Sequence, residues 1–360
     1  MKPVASTPDM SRENLDRFIL KYIWLKHQLI GQMRELEAGQ TLPTVAQIRK
    51  RYRVSQATVD RAVGELRVEG LVESRRGSGI HITPLAKVKR IGFVLDPAAF
   101  SSQAPPFGRE LISRFQSVAR ERDIQFTYYI NDYSHDVDEH GPTQLQKDAQ
   151  SGLIDGLLLY GITTPYLPAI FKLGLPVLRM TQGETHNTFS FNYAQLIQMA
   201  VKHLAQQGVS DIAIFANDLC DVGQNLMLTF DAALAEYDCR SLPQWRMSFP
   251  RSHSLELRGY RDFIERWPQW EIKPQAVIST DDNMTQGIYE AIKKLELRVP
   301  EDILFVSHAN RGLTQFENPS ITRIEFDVKE VTQRMIHRLE EQILNPSVEP
   351  GHFQISPRLA

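Results

Sequence analysis

The sequence predicts an α/β protein in which a small, basic, helical module precedes a larger acidic body. The chain has 360 residues, more than one ordinary hydrophobic core accommodates. Residues 1–90 contain 17 Lys and Arg against 9 Asp and Glu, whereas the remaining residues contain 24 against 34. In the N-terminal part the apolar residues recur at the spacing of an α-helix, and in the rest of the chain predicted strands alternate with predicted helices. This division indicates a polyanion-binding module joined to a part with a different task.

The front module is predicted to contain three helices. Ser11 is a suitable N-cap for the first, whose apolar residues recur at intervals of three and four from Leu15 to Leu36. Thr44 opens the second helix, and the glutamine three residues later completes a capping-box pattern. Ser55 opens the third, which Gly70 ends. The second and third helices are short and close together, as in a helix-turn-helix.

Two short strands follow, on either side of the sequence RRGSG. They are predicted at Leu71–Ser74 and Ile80–Thr83. Glycines beside arginines could also cradle a nucleotide phosphate, but no helix begins after this turn, as a phosphate loop requires. The order of helix, helix, tight turn, helix and hairpin is that of a winged helix-turn-helix, which places the start of its third helix in the DNA major groove.

The predicted DNA contacts lie at the start of the third helix, on the basic flank before it and on the hairpin tip. Gln56 and Thr58 are expected at base edges, and the arginines and Lys50 at phosphates. Alternative roles are a helix cap for Ser55 and an ion pair on the helix surface for Arg61. The predicted contacts are Thr44, Arg49, Lys50, Arg53, Ser55, Gln56, Thr58, Arg61, Arg75, Arg76, Gly77 and Ser78.

The segment LPTVAQIRKRYRVSQATVDRAVGELRVEGLVESRRGSGIHI resembles the DNA-binding domain of GntR-type bacterial repressors. The resemblance covers approximately Leu25–Thr83 and includes the helix spacing, the turn and the hairpin. Ala46, Gln56 and Asp60 stand where that family usually has arginine. Because arginine reading guanine contributes about 1–3 kcal/mol of discrimination, we expect a changed operator sequence, with Gln56 better suited to adenine.

Residues 84–89 are predicted to be a hinge between a DNA-binding domain at 1–83 and a body at 90–360. The body contains continuous apolar strands such as RIGFVLD, LIDGLLLYG and PQAVISTDD, separated by amphipathic helices. Such alternation predicts parallel sheets covered on both faces. The length of the body favours two lobes, with a ligand site at the carboxyl ends of the strands.

The body resembles the ligand-binding core of LacI/GalR repressors, which has a type I periplasmic-binding-protein-like fold. RIGFVLD, IDGLLLYG and AVKHLAQQGVSDIAIFAND carry the likeness, and its most specific part runs from Ala276 to Val306. The resemblance implies a first lobe of about 90–192 with 321–343 and a second of about 193–320 with 344–360. It also implies a repressor whose affinity for operator DNA changes when a small polar metabolite, most simply a carbohydrate, alters the angle between the lobes.

The predicted effector contacts lie at strand ends. Ala309 replaces the aspartate that usually fixes sugar hydroxyls in this family, and Asn225 or Leu226 replaces the arginine, so a standard hexose grip is not expected. Each polar candidate could instead cap a turn, and Asp281 and Asp282 could cap a helix. The candidates are Asp96, Phe100, Tyr160, Gln182, Asn192, Asn217, Asp218, Asp281, Asp282 and His308.

Other classes of function are disfavoured. The sequence has no P-loop, GxSxG or HExxH motif, and its ten histidines lack metal-ligand spacing, so we expect no enzyme activity, cofactor or metal. Asp281 and Asp282 could imitate a general acid–base pair, but adjacent side chains usually diverge. Two cysteines without CxxC spacing, no signal peptide and no apolar span favour the cytoplasm and no membrane partner.

The expected partners are double-stranded DNA, a small-molecule effector and a second copy of the chain. A homodimer would place two winged helices on a near-palindromic operator. One alternative is a DNA-binding regulator whose body only dimerises. The other is a solute receptor, which the missing signal peptide and the basic module disfavour.

Overall fold

A computed structural model describes residues 12–100, 106–130, 143–162, 164–181, 187–218, 226–250, 255–313, 319–345 and 347–360. These residues form two compact units. One comprises the described residues within 1–93, 119–157 and 164–176, and the other those within 94–118, 158–163 and 177–360. No described helix is both long and apolar enough to cross a membrane.

The N-terminal module has the predicted order of elements. It contains α1 Arg12–Glu35, α2 Val45–Tyr52, α3 Gln56–Val68, β1 Val72–Arg75 and β2 Gly79–Ile82. The apolar stripe of α1 is buried through Leu25, Leu29 and Met33, which share a core with Ile48 and Val59. Burial of this stripe holds three helices together that would be marginal alone. The predicted cap Ser11 lies outside the described residues.

Local capping decides where α2 and α3 begin. The Thr44 hydroxyl accepts from the backbone N–H of Gln47, whose side-chain oxygen accepts from the backbone N–H of Thr44 at 2.8 Å. This reciprocal pair is the predicted capping box. Ser55 caps α3 by accepting from the backbone N–H of Thr58 at 3.2 Å. Arg53 takes a left-handed conformation with φ 53°, which ends α2 and sets the tight turn.

The hairpin is part of a slightly larger sheet than predicted. β1 and β2 pair antiparallel around a turn that needs positive φ at Gly77. The backbone N–H of Gly39 donates to Ile82 and that of Leu42 to Ile80, each at 2.8 Å, so residues 39–42 extend the hairpin. The predicted hinge begins with a 3-10 turn at Pro84–Lys87 that is attached to the module, since its Ala86 lies in the module's core.

The body consists of alternating strands and helices. In chain order, the strands are β3 Lys89–Leu95, β4 Ile124–Ile130, β5 Gly156–Tyr160, β6 Val177–Met180, β7 Thr188–Phe191, β8 Ile212–Asp218, β9 Arg246–Pro250, β10 Ala276–Ser279, β11 Leu304–Arg311, β12 Thr322–Asp327, β13 His352–Ile355 and β14 Arg358–Leu359. The helices are α4 Pro106–Glu121, α5 Gln144–Ser151, α6 Leu167–Phe171, α7 Tyr193–Gln206, α8 Leu226–Glu236, α9 Leu255–Gln269, α10 Asp282–Lys294 and α11 Val328–Leu344.

These strands form two six-stranded sheets. The first has the order β13-β7-β6-β5-β3-β4, and the second has the order β14-β12-β11-β10-β8-β9. In the second sheet β8 to β12 pair in parallel, and only the short edge strand β14 is antiparallel. All four residues of β7 and of β10 are buried, as predicted for parallel strands covered on both faces.

Two strands lie in the opposite sheet from the one expected. Of residues 321–343, which were assigned to the first lobe, β12 pairs with β11 in the second sheet, whereas α11 packs against β6 of the first sheet as expected. Of residues 344–360, which were assigned to the second lobe, β13 pairs with β7 in the first sheet, whereas β14 pairs with β12 of the second sheet as expected. An apolar strand pattern indicates that a strand is buried, but it does not indicate which sheet the strand joins. The repeated passage of the chain between the two sheets near its C-terminus was therefore not predictable from periodicity.

Candidate functional site

The helix-turn-helix presents an exposed polar and basic face. Gln56 is the first residue of α3, and its side chain is exposed. Arg49 and Lys50, in the last turn of α2, and Arg53, in the turn, are also exposed. These predicted contacts are thus exposed at the end of α2, in the turn and at the start of α3, where the first backbone N–H groups of a helix lack partners within the helix.

Two of the predicted DNA contacts, Thr58 and Arg61, instead interact with other residues of the module. Thr58 is 2% exposed, and its hydroxyl lies 2.7 Å from that of Ser55. The prediction that Thr58 reaches a base edge is therefore wrong, because the capping geometry that starts α3 turns this side chain inward. Arg61 forms an ion pair with Glu65 at 2.8 Å and lies over the ring of Tyr22 at 5.5 Å. The helix-surface role is thus the one that the structure shows for Arg61.

The wing turn carries two exposed arginines in different surroundings. Arg75 pairs with Glu73 at 2.7 Å, while no ion pair of Arg76 occurs within the described part of the chain. Ser78 is positioned by a hydrogen bond with His81, because its hydroxyl lies 2.8 Å from Nε2 of that residue. The other ring nitrogen of this buried histidine lies 2.9 Å from the carbonyl oxygen of Gly39. Sequence analysis missed His81, although its position in a short strand, with its side chain facing the core of the module, was a signal.

In the body, polar groups gather where β8, β10 and β11 end. Asp281 caps α10 and accepts from the backbone N–H groups of Asn283 and Met284, each at 3.0 Å. The cap role foreseen as an alternative for Asp281 is therefore observed. Asn217, at the end of β8, donates its amide to the same carboxylate at 3.0 Å. Next to it, Asp282 accepts from the side-chain amide of Asn310 at 2.8 Å.

Burial perturbs the acid–base properties of this cluster, which we call the β8–β11 cluster and define as Asn217, Asp281, Asp282, His308 and Asn310. Loss of solvation raises the pKa of Asp281, and the neighbouring charge of Asp282 raises it further. Burial also raises the pKa of Asp282, against the stabilising hydrogen bond from Asn310. Two adjacent carboxyl groups therefore share a poorly solvated environment.

His308 is enclosed by aromatic rings. It is 3% exposed, and its ring centroid lies 5.6 Å from that of Tyr193 and 5.4 Å from that of Phe326. Neither ring nitrogen has a hydrogen-bond partner among the residues that the structure describes. Burial lowers the pKa of His308 to about 4, although the charge of Asp281 and the side chain of Asn310 favour the charged ring. At neutral pH this imidazole is uncharged, so it carries one hydrogen-bond donor and one acceptor.

Aromatic contacts continue from His308 to strand ends of the first sheet. Phe191, the last residue of β7, stacks on Phe326 with centroids 4.2 Å apart and lies 5.4 Å from Phe107. Phe107 in turn lies 6.3 Å from Tyr160, at the end of β5. The carbonyl of Tyr160 accepts from the backbone N–H of Asp96 at 3.3 Å. Two predicted effector residues of the first sheet thus adjoin each other.

The structure describes the side chains of only some of the remaining effector candidates. The side-chain oxygen of Asn192 accepts from the backbone N–H of Gln195 at 2.9 Å, so Asn192 caps α7. Phe100 ends a 3-10 turn and Asp218 ends β8, but the structure describes neither side chain. Gln182 lies outside the described residues. Asn310 and Tyr193 were missed as candidates, although Asn310 has the strand-end position that identified His308.

Comparison with known proteins finds a matching family model for each of two parts of the chain. Residues 25–82 match the family model of bacterial regulatory proteins of the gntR family. Residues 201–360 match that of the periplasmic binding protein-like domain. A gntR-type region and a periplasmic binding protein-like region thus match separate parts of the chain, in the order that the sequence resemblances predicted.

Relatives of known function are transcriptional repressors. The ribose operon repressor of Escherichia coli (strain K12) is 26% identical over 161 residues, which are 45% of this chain and 48% of that protein. The chain thus spans about half the length of the ribose repressors that it matches. The HTH-type transcriptional repressor PurR of Pectobacterium atrosepticum is 25% identical over 340 residues, 88% of this chain and 95% of that protein.

Solved structures confirm the fold. The lactose repressor bound to the anti-inducer ONPF has a TM-score of 0.58 at 20% identity, covering 75% of this chain and 97% of that chain. A LacI family transcriptional regulator from Enterococcus faecium with bound ribose also has a TM-score of 0.58, at 19% identity, covering 76% of this chain and 97% of that one. At these identities the likeness shows the fold alone.

Proposed function

We propose that this protein is an effector-responsive, sequence-specific transcriptional repressor that acts in the cytoplasm as a homodimer. The observation that carries the proposal is the exposed N-terminal turn of α3 with Gln56 at its start, flanked by the basic groups of α2. This is the arrangement with which a helix-turn-helix enters a major groove. Two such modules, related by a two-fold axis, would recognise a near-palindromic operator.

The proposed division of labour within the DNA-binding module follows from which side chains are available. Gln56 reads base edges, and a bidentate amide contact suits adenine. Arg49, Lys50 and Arg53 hold the phosphate backbone, and Arg76 extends this contact from the wing tip. Thr58, which is buried, supports the cap of α3 and takes no part in base recognition.

The proposed effector is a small polar metabolite, with a carbohydrate as the first candidate. The similarity to a ribose operon repressor supports a sugar as the ligand class. Binding would involve the β8–β11 cluster and the aromatic residues beside it. An effector can change operator affinity only to the extent that it binds the two lobe arrangements with different affinity.

A binding role fits the cluster better than catalysis. The carboxylate of Asp281 is engaged by the cap of α10 and by Asn217, and that of Asp282 by Asn310. A general acid and a general base need a proton to exchange with a substrate, whereas these oxygens are held by donors of the protein. We therefore propose that the protein is not an enzyme.

Ala309 supports the second candidate function, a regulator whose body only dimerises, because this residue lacks the carboxylate that the LacI-type resemblance implies at its position. An effector panel distinguishes the two candidates. A ligand that stabilises the full chain against heat and shifts its operator affinity supports the effector-responsive repressor. A panel of sugars, nucleobases and nucleosides that changes neither property supports the dimerising body.

The test of DNA recognition is selection of operators from random duplexes with the full chain, followed by footprinting and mass measurement of the complex. We expect two inverted half-sites bound by two chains, with affinity well above that for bulk DNA at the same salt concentration. Uniform affinity for unrelated duplexes would reject sequence-specific regulation.

A further inference from the structure

We infer that the β8–β11 cluster binds a ligand that donates hydrogen bonds through hydroxyl or amine groups and that it rejects phosphorylated or carboxylated compounds. The inference rests on the proposed effector function and narrows it to a ligand class. It derives from the orientation of two asparagines and from two adjacent, poorly solvated carboxyl groups.

The first argument concerns which atoms remain for a ligand. Asn217 donates its amide N–H to Asp281, and Asn310 donates its amide N–H to Asp282. A carboxylate only accepts hydrogen bonds, which forces each amide to turn its NH₂ group toward the aspartate. The carbonyl oxygens of both asparagines are buried, and neither accepts a well-formed hydrogen bond within the described residues, although Asn310 lies close enough to His308 to favour the charged form of that ring.

These unused amide oxygens define what a ligand must offer. A buried acceptor without a partner is costly, at about 1–3 kcal/mol, and the cost is recovered when a donor arrives. Hydroxyl and amine groups are donors, whereas fully ionised phosphate and carboxylate oxygens are not. The neutral ring of His308 adds one donor and one acceptor, which suits a hydroxyl group because that group can act in both ways.

The second argument is electrostatic. Asp281 and Asp282 are adjacent, and both side chains lie in surroundings that raise their pKa. An anionic ligand would bring a further negative charge into this environment, where screening by water is weak. Arg311, which follows Asn310 in β11, is itself paired with Asp327 at 3.5 Å. A neutral or cationic ligand meets no such repulsion.

The third argument is the shape and polarity of the neighbourhood. The rings of Phe191, Tyr193 and Phe326 surround His308. Aromatic faces contact the C–H groups of a polyhydroxylated ring or the face of a base, whereas acceptors at the edge select its donors. The cluster therefore combines unused hydrogen-bond acceptors with neighbouring aromatic surface.

The experiment uses the full chain and matched probes that differ in one phosphate: D-ribose and D-ribose 5-phosphate, D-glucosamine and its 6-phosphate, adenosine and its 5′-monophosphate. Binding is measured by calorimetry and by the change in melting temperature. We expect at least one unphosphorylated probe to bind and its phosphorylated partner to bind about 100-fold more weakly or not at all, the scale of one uncompensated buried charge.

Two variants locate the discrimination. Asp282→Asn removes one negative charge without changing the shape of the side chain. It should reduce the ratio of affinities between each probe and its phosphorylated partner about tenfold or more. Asp281→Asn, which preserves a good helix cap, serves the same purpose if the first variant does not fold. Asp302→Asn, in an exposed pair with Arg298, is the control and should leave the difference unchanged.

Equal or tighter binding of any phosphorylated probe would overturn the inference, and so would the absence of binding by every probe. Operator affinity is measured in parallel on the same preparations. Retained sequence-specific DNA binding with either outcome would reject the ligand class alone, whereas loss of sequence-specific binding would reject the proposed regulator itself.

Discussion

Arg34 and Asp155 form an ion pair in which Nη2 and Oδ1 lie 2.5 Å apart, and this pair joins the end of α1 to the segment before β5. Asp155 also accepts from the backbone N–H of Arg90 at 2.8 Å. The guanidinium of Arg90 lies 3.5 Å from Glu69, which pairs with Lys26. Buried charges of alternating sign thus attach the DNA-binding module to the first strands of the body, beyond the covalent connection.

Removing one member of this network should be costly. We expect Asp155→Ala to lower the free energy of unfolding by about 3–5 kcal/mol, because Arg34 and Arg90 lose their partner in a site with little water. Urea unfolding measures the change. Arg298→Ala is the matched control, since its pair with Asp302 is exposed to solvent, which screens the attraction, and therefore contributes little to stability. Similar losses in the two variants would show that burial does not strengthen the network.

Base preference should depend on Gln56. Replacement by Ala removes the amide at the start of α3, and we expect a loss of about 1–3 kcal/mol of discrimination at one operator position in each half-site. Selection from random duplexes measures the change. Thr58→Val tests the correction made by the structure, because it should lower stability through the cap while leaving the selected consensus intact. A consensus altered by Thr58→Val and retained in Gln56→Ala would contradict this assignment.

The wing should contribute to affinity without contributing to sequence preference. We expect Arg76→Ala to weaken binding to all duplexes and to reduce the slope of log affinity against log salt by about 1, as for one lost phosphate contact. Arg75→Ala should have the smaller effect, because Glu73 already offsets part of its charge. Arg266→Ala on α9 controls for total charge. A salt slope that is identical in Arg76→Ala and in the unchanged protein would exclude the contact.

Stability should depend on pH through His308. Its folded pKa of about 4 lies below the unfolded value, so the unfolded chain binds a proton that the folded chain excludes as pH falls from about 6.5 to 4. Stability is therefore full above this window and is lost on acidification. The raised pKa values of Asp281 and Asp282 act in the opposite direction, because their folded forms retain protons.

The comparison with His308→Phe removes the histidine together with its interaction with Asp281, so the difference between the two proteins reports the protonation of this pair. Relative to this variant, the unchanged protein should lose about 2 kcal/mol between pH 7 and pH 5, measured by urea unfolding. A constant difference between the two proteins over this range would show that His308 is already protonated or is exposed to water.

Gly287 should be irreplaceable for reasons of packing. A Cβ atom at this position in α10 would lie 1.8 Å from the carbonyl oxygen of Glu256 in α9, so the two helices would have to separate. We expect Gly287→Ala to destabilise the protein by about 3 kcal/mol in thermal or urea unfolding. Gly64→Ala in α3 is the control, because open space surrounds that position and alanine favours a helix by up to about 1 kcal/mol.

Much of the DNA-binding module was predictable because its signals are local. The caps Thr44 and Ser55 act on residues within three positions of themselves, and the stripe through Leu25 and Met33 repeats within one helix. The extension of the hairpin by residues 39–42 was not predictable, since it depends on backbone groups about forty residues apart in sequence.

The position of the β8–β11 cluster was predictable from the sequence, but the hydrogen bonds within it were not. Carboxyl ends of parallel strands meet at one edge, which identified Asn217, Asp281, Asp282 and His308 from their places in the sequence. Asn310 donates its side-chain amide N–H to Asp282, which lies 28 positions away in the sequence. The position of an asparagine in the sequence does not indicate the direction in which its amide group points.

By itself, the sequence determined the two modules, the charge division between them, the helix caps and the arginine-tipped wing, because each follows from composition or from neighbours along the chain. Only the tertiary structure decided that Thr58 is buried, that Arg34 meets Asp155, and that β12 and β13 join opposite sheets. These outcomes depend on side chains and strands brought together by packing across long separations, where the lowest free energy is set by the whole arrangement and not by local preference.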